Sequence, residues 1–218
     1  PDPLEVPTEA LVEREPITIL CSAKGWIRAV KGHLEAAAPV KYKEGDRGRF
    51  RFHGETTDRL VLFATNGRFY ALSCDKLPGG RGLGEPVRLM IDLAADQDVV
   101  KLFVHRPGQR LLVAASDGRG FVVEEDGVLA EKRTGKQVLN PGRQAEACIC
   151  VPAVGDCVAV VGENRRLLLF PAADVPVLAR GRGVILQRYR DGGLTDAKLF
   201  NRAEGLSWKT GAGVRNEG

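Results

Sequence analysis

The lysines and arginines of this sequence are grouped in a way that indicates binding of a negatively charged ligand. They are concentrated in three segments, 76–88, 129–143 and 178–190, whose net charges are +2, +3 and +4. The whole chain of 218 residues carries only +4, so the remaining residues are acidic on balance. Cations grouped in this way bind phosphate, because they displace the counterions that condense on a nucleic-acid backbone.

The candidate binding residues are the cations of these segments together with three lysines between residues 31 and 43. They are Lys31, Lys41, Lys43, Arg81, Arg88, Lys132, Arg133, Lys136, Arg143, Arg180, Arg182 and Arg188. Glycines flank Arg81 and Arg182, and glycine allows backbone amides to approach phosphates closely. The sequence contains no recognition helix and no zinc finger, so we expect largely sequence-independent binding to duplex DNA. The alternative is a protein-interaction platform whose basic edge binds an acidic partner.

The histidines, the cysteines and the segment 130–137 lack the neighbouring residues that catalysis, metal binding or nucleotide binding would require. His33, His53 and His105 are far apart in the sequence, and the five cysteines form no CxxC pair. The segment 130–137 is not a P-loop, because Ala130 replaces the first glycine and Gln137 replaces the serine or threonine. We therefore expect no catalytic residue, no metal site and no cofactor in this domain.

A repeated hairpin supplies the framework that positions the cations. Each copy is an apolar run, a short turn and a second apolar run, with turn positions at 25, 67, 118, 165 and 213. The dipeptides Asn66-Gly67 and Asp117-Gly118 predict type I′ turns. A second motif, Gly-x-x-Val, follows the preceding turn position by 17, 17 and 16 residues. Its three copies begin at Gly84, Gly135 and Gly181.

Strand-rich units of about 40–50 residues are typical of propeller blades. The sequence therefore predicts an all-β, propeller-like domain of four to five four-stranded antiparallel blades. The expected units are an acidic linker at 1–15 and a single domain at 16–218, with blades at 16–57, 58–107, 108–155 and 156–202 and a partial blade at 203–218. Equivalent loops of successive blades share one rim, so the three basic segments should form a continuous curved band.

The quoted repeats resemble the C-terminal repeats of bacterial type IIA topoisomerase A subunits. The resemblance is carried by Leu60-Val-Leu-Phe-Ala-Thr-Asn-Gly-Arg-Phe-Tyr70, by Leu111-Leu-Val-Ala-Ala-Ser-Asp-Gly-Arg119 and by Leu77-Pro-Gly-Gly-Arg-Gly-Leu-Gly-Glu-Pro-Val87. The opening, Glu15-Pro-Ile-Thr-Ile-Leu-Cys-Ser-Ala-Lys-Gly-Trp-Ile-Arg-Ala-Val-Lys-Gly-His33, is more similar to the topoisomerase IV branch than to gyrase. The resemblance covers about residues 14–202.

This resemblance implies a β-pinwheel whose outer edge binds and bends duplex DNA for decatenation and supercoil relaxation. The gyrase branch carries a Gln-Arg-Arg-Gly-Gly-Lys-Gly box in its first blade, and the corresponding stretch around Tyr42 lacks it. The implied partners are duplex DNA, an ATPase B subunit and the rest of the A subunit, and a chromosome-organising protein stays open. The full enzyme would use ATP and Mg²⁺ and carry its catalytic tyrosine outside this chain. The sequence begins at Pro1 and its one methionine is Met90, so we expect part of a longer protein. The resemblance implies that this protein acts in the bacterial cytoplasm, associated with the nucleoid.

Overall fold

The computed structural model describes residues 11–210 and 213–217, with side chains as far as Ser207, and these residues form an all-β fold. The strands are β1 Pro16–Ser22, β2 Trp26–Lys31, β3 Gly48–Glu55, β4 Arg59–Ala64, β5 Arg68–Ser73, β6 Glu85–Pro86, β7 Val99–Val104, β8 Arg110–Ala115, β9 Arg119–Glu124, β10 Lys136–Gln137, β11 Ala147–Pro152, β12 Cys157–Gly162, β13 Leu167–Pro171, β14 Val184–Ile185, β15 Leu194–Phe200, β16 Leu206–Thr210 and β17 Gly213–Glu217. Short 3-10 helices cover Cys74–Lys76, Val87–Leu89, Glu125–Val128, Ala172–Asp174 and Arg202–Glu204. Within the described part of the chain, no helix is long and apolar enough to span a membrane.

The predicted hairpins form, but their turns are not of type I′. A type I′ turn needs positive φ at both central residues, whereas Gly67 and Gly118 have φ of 77° and 86° and the residues before them do not have positive φ. The amide of Gly67 instead donates to the Ala64 carbonyl at 2.9 Å, which closes a turn one residue earlier. The loop is therefore a three-residue turn that ends in a left-handed residue. The side chain of Asn66 stabilises it by accepting a hydrogen bond from the Arg68 amide at 2.9 Å.

The sheets are assembled from strands of two successive repeats. The orders are β3-β1-β2-β6, β10-β5-β4-β7 and β11-β8-β9-β14, followed by a three-stranded sheet β13-β12-β15 and the hairpin β16-β17. Each of the first three sheets contains three strands of its own repeat and a two-residue strand from the next repeat. We call β6, β10 and β14 the donor strands and β2, β5 and β9 their acceptor strands. The predicted blade boundaries thus enclose the first three strands of each sheet but assign every donor strand to the wrong blade.

The second repeated motif contains the donor strands, and its third copy is shifted by two residues from the predicted position. A Cβ atom at Gly84, Gly135 or Gly183 would lie only 2.2–2.6 Å from a carbonyl oxygen of the acceptor strand, and φ at the three residues is 71–86°. Gly181 has no atom within 4 Å of such a Cβ. The third copy is therefore Gly183-Val-Ile-Leu186, not the predicted Gly181-Arg-Gly-Val184. The close backbone contact, which only glycine permits, defines the motif.

Hydrophobic side chains fill the spaces between successive sheets in three clusters. One lies between the first and second sheets around Leu62 and Tyr70, one between the second and third around Phe63 and Phe121, and one between the third and fourth around Val160. On the inner side, β7 contacts β3 and β11, and β11 contacts β15. Because donor strands occupy the opposite ends of their sheets, they lie on the outer side of the assembly.

The two ends of the chain differ from their predicted descriptions. The linker prediction at 1–15 falls partly outside the described residues, but Glu15 packs on the first blade, because its amide donates to Thr56 Oγ1 at 2.9 Å and its carbonyl accepts from the Thr56 amide at 3.0 Å. In the last hairpin, Gly213 is the first residue of β17 and not the turn, since it pairs with Thr210. Residues 211–212, between the two strands, lie outside the described residues.

Candidate nucleic-acid interface

The three basic segments occupy equivalent places on the outer edges of three blades. The first lies against β2, where Gly79 forms a bridge with Ala29, and β6 pairs with Trp26 and Ile27. The second places β10 against β5, and the third places β14 against β9. Each segment contains its donor strand, so its cations lie before, within and after that strand at the outer edge. The expected common edge is therefore present.

Direct contacts join the basic segments to one another. The Asp92 amide, which follows the first segment, donates to the Arg133 carbonyl of the second at 2.9 Å. The Asn140 amide of the second donates to the Gly181 carbonyl of the third at 2.8 Å, and the Gly181 amide returns a bond of 2.8 Å to Val138. We call the three joined segments, 76–92, 129–143 and 178–190, the outer basic band. Backbone hydrogen bonds between the segments therefore hold their positive charges next to one another.

Six of the predicted cations are exposed, and their side chains make no hydrogen bond or ion pair with the described residues. They are Lys41, Arg81, Lys132, Arg143, Arg180 and Arg188. Arg81, Lys132 and Arg180 represent one cation from each segment of the outer basic band. Because no acid among the described residues pairs with them, the charges of these side chains are free to act on a ligand at this surface.

Three other predicted cations are partly occupied by acidic or backbone partners. Arg88 donates to the carbonyls of Leu93, Ala94 and Gln97 and lies 3.8 Å from Asp98, so it mainly holds the loop that follows β6. Arg133 pairs with Asp92 at 3.6 Å and Arg182 pairs with Asp117 at 3.3 Å. Their side chains stay 61% and 57% exposed, so both remain accessible to a ligand.

Lys31 and Lys136 also have partners. Lys31 lies 3.6 Å from the Glu15 carboxylate at the end of β2, with its side chain 86% exposed. Lys136 donates from Nζ to the Gly127 carbonyl at 2.6 Å. Both ammonium groups lie at the surface, and neither is neutralised by a buried acid.

A buried arginine joins the lysines of the first repeat to the outer basic band. Arg28 is 6% exposed, and its guanidinium donates to the Lys41 carbonyl at 2.6 Å and to the Gly82 carbonyl. Lys43 lies nearby on the same loop, with Nζ 3.5 Å from the centre of the Trp26 ring. The loop that carries Lys41 and Lys43 is therefore held beside the loop that carries Arg81.

Sequence reasoning missed Arg28 and two further arginines that hold donor strands in place. Arg68 donates from Nε to the Thr134 carbonyl at 2.9 Å and from Nη1 to Gln137 at 3.1 Å. Arg119, at the equivalent position of the next repeat, donates to the Gly183 carbonyl at 3.5 Å. An arginine directly follows the turn position in three copies, at 68, 119 and 166, and this pattern could have indicated Arg68 and Arg119.

One cluster of titratable groups lies on the inner side, and its geometry is that of a structural network. His105 Nδ1 lies 3.0 Å from Glu125, and Nε2 lies 3.1 Å from Asp126, so both ring nitrogens are occupied. Glu125 Oε1 also accepts a hydrogen bond from the Arg106 amide at 2.6 Å. These contacts tie the turn before β8 to the 3-10 helix after β9. Among the described residues, no group of three His, Cys, Asp or Glu side chains could hold a metal ion.

Cys21, Cys74 and Cys150 are buried, Cys148 is partly buried, and all four are thiols and not reactive thiolates. Burial raises the pKa of Cys21 to about 11 and the pKa of both Cys74 and Cys148 to about 12. Burial also raises the pKa of Cys150. Since the thiolate is the nucleophile and the metal ligand, these side chains are inert near neutral pH.

Comparison with known proteins adds to this geometry. The DNA topoisomerase 4 A subunit of Caulobacter vibrioides is 46% identical to this chain over 209 residues, which are 96% of the chain and 27% of that protein. The same subunit of Rickettsia bellii is 40% identical over 208 residues, which are 95% of the chain and 28% of that protein. The solved structure of the E. coli ParC C-terminal domain matches with a TM-score of 0.77 at 29% identity, covering 84% of this chain and 78% of that domain. This chain belongs to the topoisomerase IV A-subunit family.

Within that family, the chain corresponds to the C-terminal domain and has its β-pinwheel fold. The chain spans about a quarter of the length of the curated relatives it matches, and the catalytic region of the A subunit lies elsewhere. No family model matches the sequence.

Proposed function

We propose that this chain binds and bends duplex DNA along the outer basic band, as the non-catalytic C-terminal domain of a topoisomerase IV A subunit. The observation that carries the proposal is the joining of three basic segments on equivalent outer edges, through Arg133 with Asp92 and through Asn140 with Gly181. The loop of Lys41 and Lys43 extends the same surface through Arg28.

The charge of the band matches a duplex better than it matches a compact acidic patch. Duplex DNA carries one negative charge per ~1.7 Å of its axis, so a long row of cations can contact phosphates along its whole length. Arg81, Lys132 and Arg180 belong to three different blades and supply such a row. Since the blades fan around their inner strands, a duplex that follows the row has to bend, and the added phosphate contacts offset the bending cost.

A duplex titration at several salt concentrations tests the proposal. Two unrelated duplexes of equal length should bind with similar affinity, and the logarithm of the association constant should fall steeply with the logarithm of salt concentration. Energy transfer between dyes at the two duplex ends should rise on binding, because bending brings the ends together. Poly-glutamate of matched charge serves as the competitor. Poly-glutamate binding that equals or exceeds duplex binding would replace the proposal by the protein-interaction platform.

The activity of the whole enzyme is part of the same proposal. The domain would capture duplex segments for decatenation and supercoil relaxation by an A subunit that works with an ATPase B subunit, ATP and Mg²⁺. No cofactor is assigned to this domain, and the place of action would be the nucleoid in the bacterial cytoplasm.

A further inference from the structure

A cleft of about 440 Å³ lies on the inner side of the first three blades, where β7 contacts both β3 and β11. Half-buried phenylalanines at 50, 52 and 103 line it, together with the side chain of Glu125. We call this space the inner cleft. It shares no residue with the outer basic band or with the donor strands, so it is separate from the surface proposed to bind DNA.

Glu125 brings to the inner cleft a buried carboxylate with one unused oxygen. Its side chain is 1% exposed, and Oε1 lies 3.0 Å from His105 Nδ1 and accepts a hydrogen bond from the Arg106 amide at 2.6 Å. Oε2 is buried and has no hydrogen-bond partner among the described residues. A buried carboxylate oxygen without a partner costs free energy, so a ligand that donates one hydrogen bond to Oε2 would be stabilised here.

Two cations from neighbouring inner strands line the same cleft. Arg49 of β3 and Lys101 of β7 are exposed, and in the described part of the chain neither side chain has a hydrogen-bond or ion-pair partner. The pKa of the Cys150 thiol on β11 is raised by burial, lowered by Lys101 and raised by Glu125. Lys101 and Glu125 therefore both lie close to Cys150, so an available cation and an available acceptor oxygen share one region of the cleft.

We propose that the inner cleft binds an adenine nucleotide with two or more phosphates. The faces of the base would pack against the phenylalanines, since aromatic side chains stack on bases. The amino group of adenine would donate to Glu125 Oε2, and the phosphates would pair with Arg49 and Lys101. The volume of the cleft lies within the range of about 300–1,000 Å³ that is usual for small-molecule sites.

The single unused oxygen favours adenine over the other bases. Guanine presents two adjacent donors that together require both oxygens of a carboxylate, and Oε1 of Glu125 is already occupied. Cytosine also carries an amino donor, but its single ring covers less of the phenylalanine surface. The ligand that fits the inner cleft therefore has a large flat base, one amino donor and a charged phosphate chain.

Calorimetric titration with adenosine diphosphate (ADP) and inosine diphosphate (IDP) tests the base. The two molecules differ at one position, where ADP has an amino donor and IDP has a carbonyl acceptor. ADP should bind about tenfold or more tightly than IDP, because only ADP satisfies Oε2. In Glu125→Gln, the amide oxygen must accept from the Arg106 amide, so the amino group takes the place of Oε2. The preference should then reverse toward IDP, which a general loss of structure would not produce.

Two sets of matched variants test the phosphates. Changing Arg49 and Lys101 together to glutamine should weaken ADP binding about tenfold while ADP stays preferred over IDP. Changing Arg81, Lys132 and Arg180 of the outer basic band to glutamine should leave ADP binding unchanged. Saturating duplex should also leave it unchanged, since the two ligands use different surfaces.

The proposal is overturned if ADP does not bind at millimolar concentration, or if ADP and IDP bind equally to the unaltered chain. It is also overturned if the outer triple variant loses ADP binding and the Arg49 and Lys101 double variant keeps it, because the nucleotide would then lie on the outer basic band. None of these results depends on whether the chain binds duplex DNA.

Discussion

At the scale of single residues, glycine decides whether neighbouring repeats can be joined. Gly67 and Gly108 have nearly equal φ, 77° and 75°, but different surroundings. A Cβ atom at Gly67 would lie 1.9 Å from the Leu139 carbonyl oxygen, whereas nothing lies within 4 Å of a Cβ at Gly108. The two positions therefore separate the cost of backbone conformation from the cost of a steric clash.

We expect Gly108→Ala to lower the free energy of unfolding by about 1–2 kcal/mol, the usual cost of a left-handed conformation with a Cβ atom. Gly67→Ala should lower it by about 3 kcal/mol or more, because the segment around Leu139 must also move. Urea denaturation of both variants measures the difference. Equal destabilisation of the two variants would show that the packing of Gly67 against Leu139 contributes nothing.

A second residue-scale effect comes from the buried thiols. Burial raises the pKa of Cys74 from about 9 in the unfolded chain to about 12 in the fold. The folded state thus keeps a proton that the unfolded state loses, so this stabilisation is complete below pH 9 and declines as the pH rises toward 12. The expected slope is about 1.4 kcal/mol per pH unit for each such thiol.

Cys74→Ala tests this linkage by removing one titrating thiol. The variant should lose less free energy of unfolding than the wild-type chain between pH 9 and pH 10.5, because one titrating thiol has been removed. It should still lose some, since Cys21, Cys148 and Cys150 continue to titrate. Urea denaturation at pH 8, 9.5 and 10.5 gives the comparison. Parallel pH profiles for the two proteins would contradict the assignment of a raised pKa to Cys74.

At the scale of the elements, short donor strands depend on side chains that reach across repeats. A two-residue strand gains little from its own ladder, so arginines such as Arg68 and Arg28 supply additional hydrogen bonds to the backbone of the incoming loop. Charge-assisted hydrogen bonds are stronger than neutral ones and make each arginine an anchor. Arginines that are buried or half-buried thus hold the loops whose own cations are exposed and without partners.

Arg28→Met should lower the free energy of unfolding by about 2–4 kcal/mol, because it removes two charge-assisted hydrogen bonds while keeping an unbranched apolar stem. It should also speed amide exchange in residues 40–43 and 80–84, the two loops that the guanidinium joins. The matched control is Arg47→Met, an exposed arginine without a side-chain partner, which should change stability by less than about 0.5 kcal/mol. Unchanged exchange in both loops of Arg28→Met would refute the joining role.

At the scale of the whole molecule, the function depends on cations from different blades acting as one surface. Arg81, Lys132 and Arg180 come from three repeats, are exposed and lack partners in the described chain. No single one of them is expected to bind DNA measurably, since one exposed cation gives little free energy. Their combined effect should appear in the number of phosphates neutralised.

Changing Arg81, Lys132 and Arg180 together to glutamine should weaken duplex binding for all sequences. It should also reduce the magnitude of the salt slope by about 2.7, or about 0.9 for each phosphate that is no longer neutralised. The matched control changes Arg106, Arg166 and Arg202 to glutamine, three exposed arginines outside the outer basic band. Fluorescence anisotropy of a labelled duplex measures the affinity and the salt slope of both triple variants. If the two triple variants have the same slope, binding does not use the outer basic band.

Local residue patterns are enough to specify the hairpins of this protein. Alternating apolar residues and the turn glycines at 25, 67 and 118 predicted the hairpins, because strand pairing across a short loop depends on nearby residues. The same repeats indicated the family and the common edge of the basic segments. The turn type was predicted wrongly, since the dipeptide Asn66-Gly67 fits either a two-residue or a three-residue loop.

The way in which these hairpins combine depends on contacts between segments that are distant in the sequence. A two-residue donor strand is too short to carry a pattern of alternation, so its acceptor strand and the register of Gly183 are set by a backbone contact between distant segments. For the same reason the sequence could not distinguish Arg28, whose guanidinium is buried between two loops, from Arg81, which is exposed. Whether a cation is available to a ligand depends on which carbonyls and carboxylates the folded chain brings within hydrogen-bonding distance.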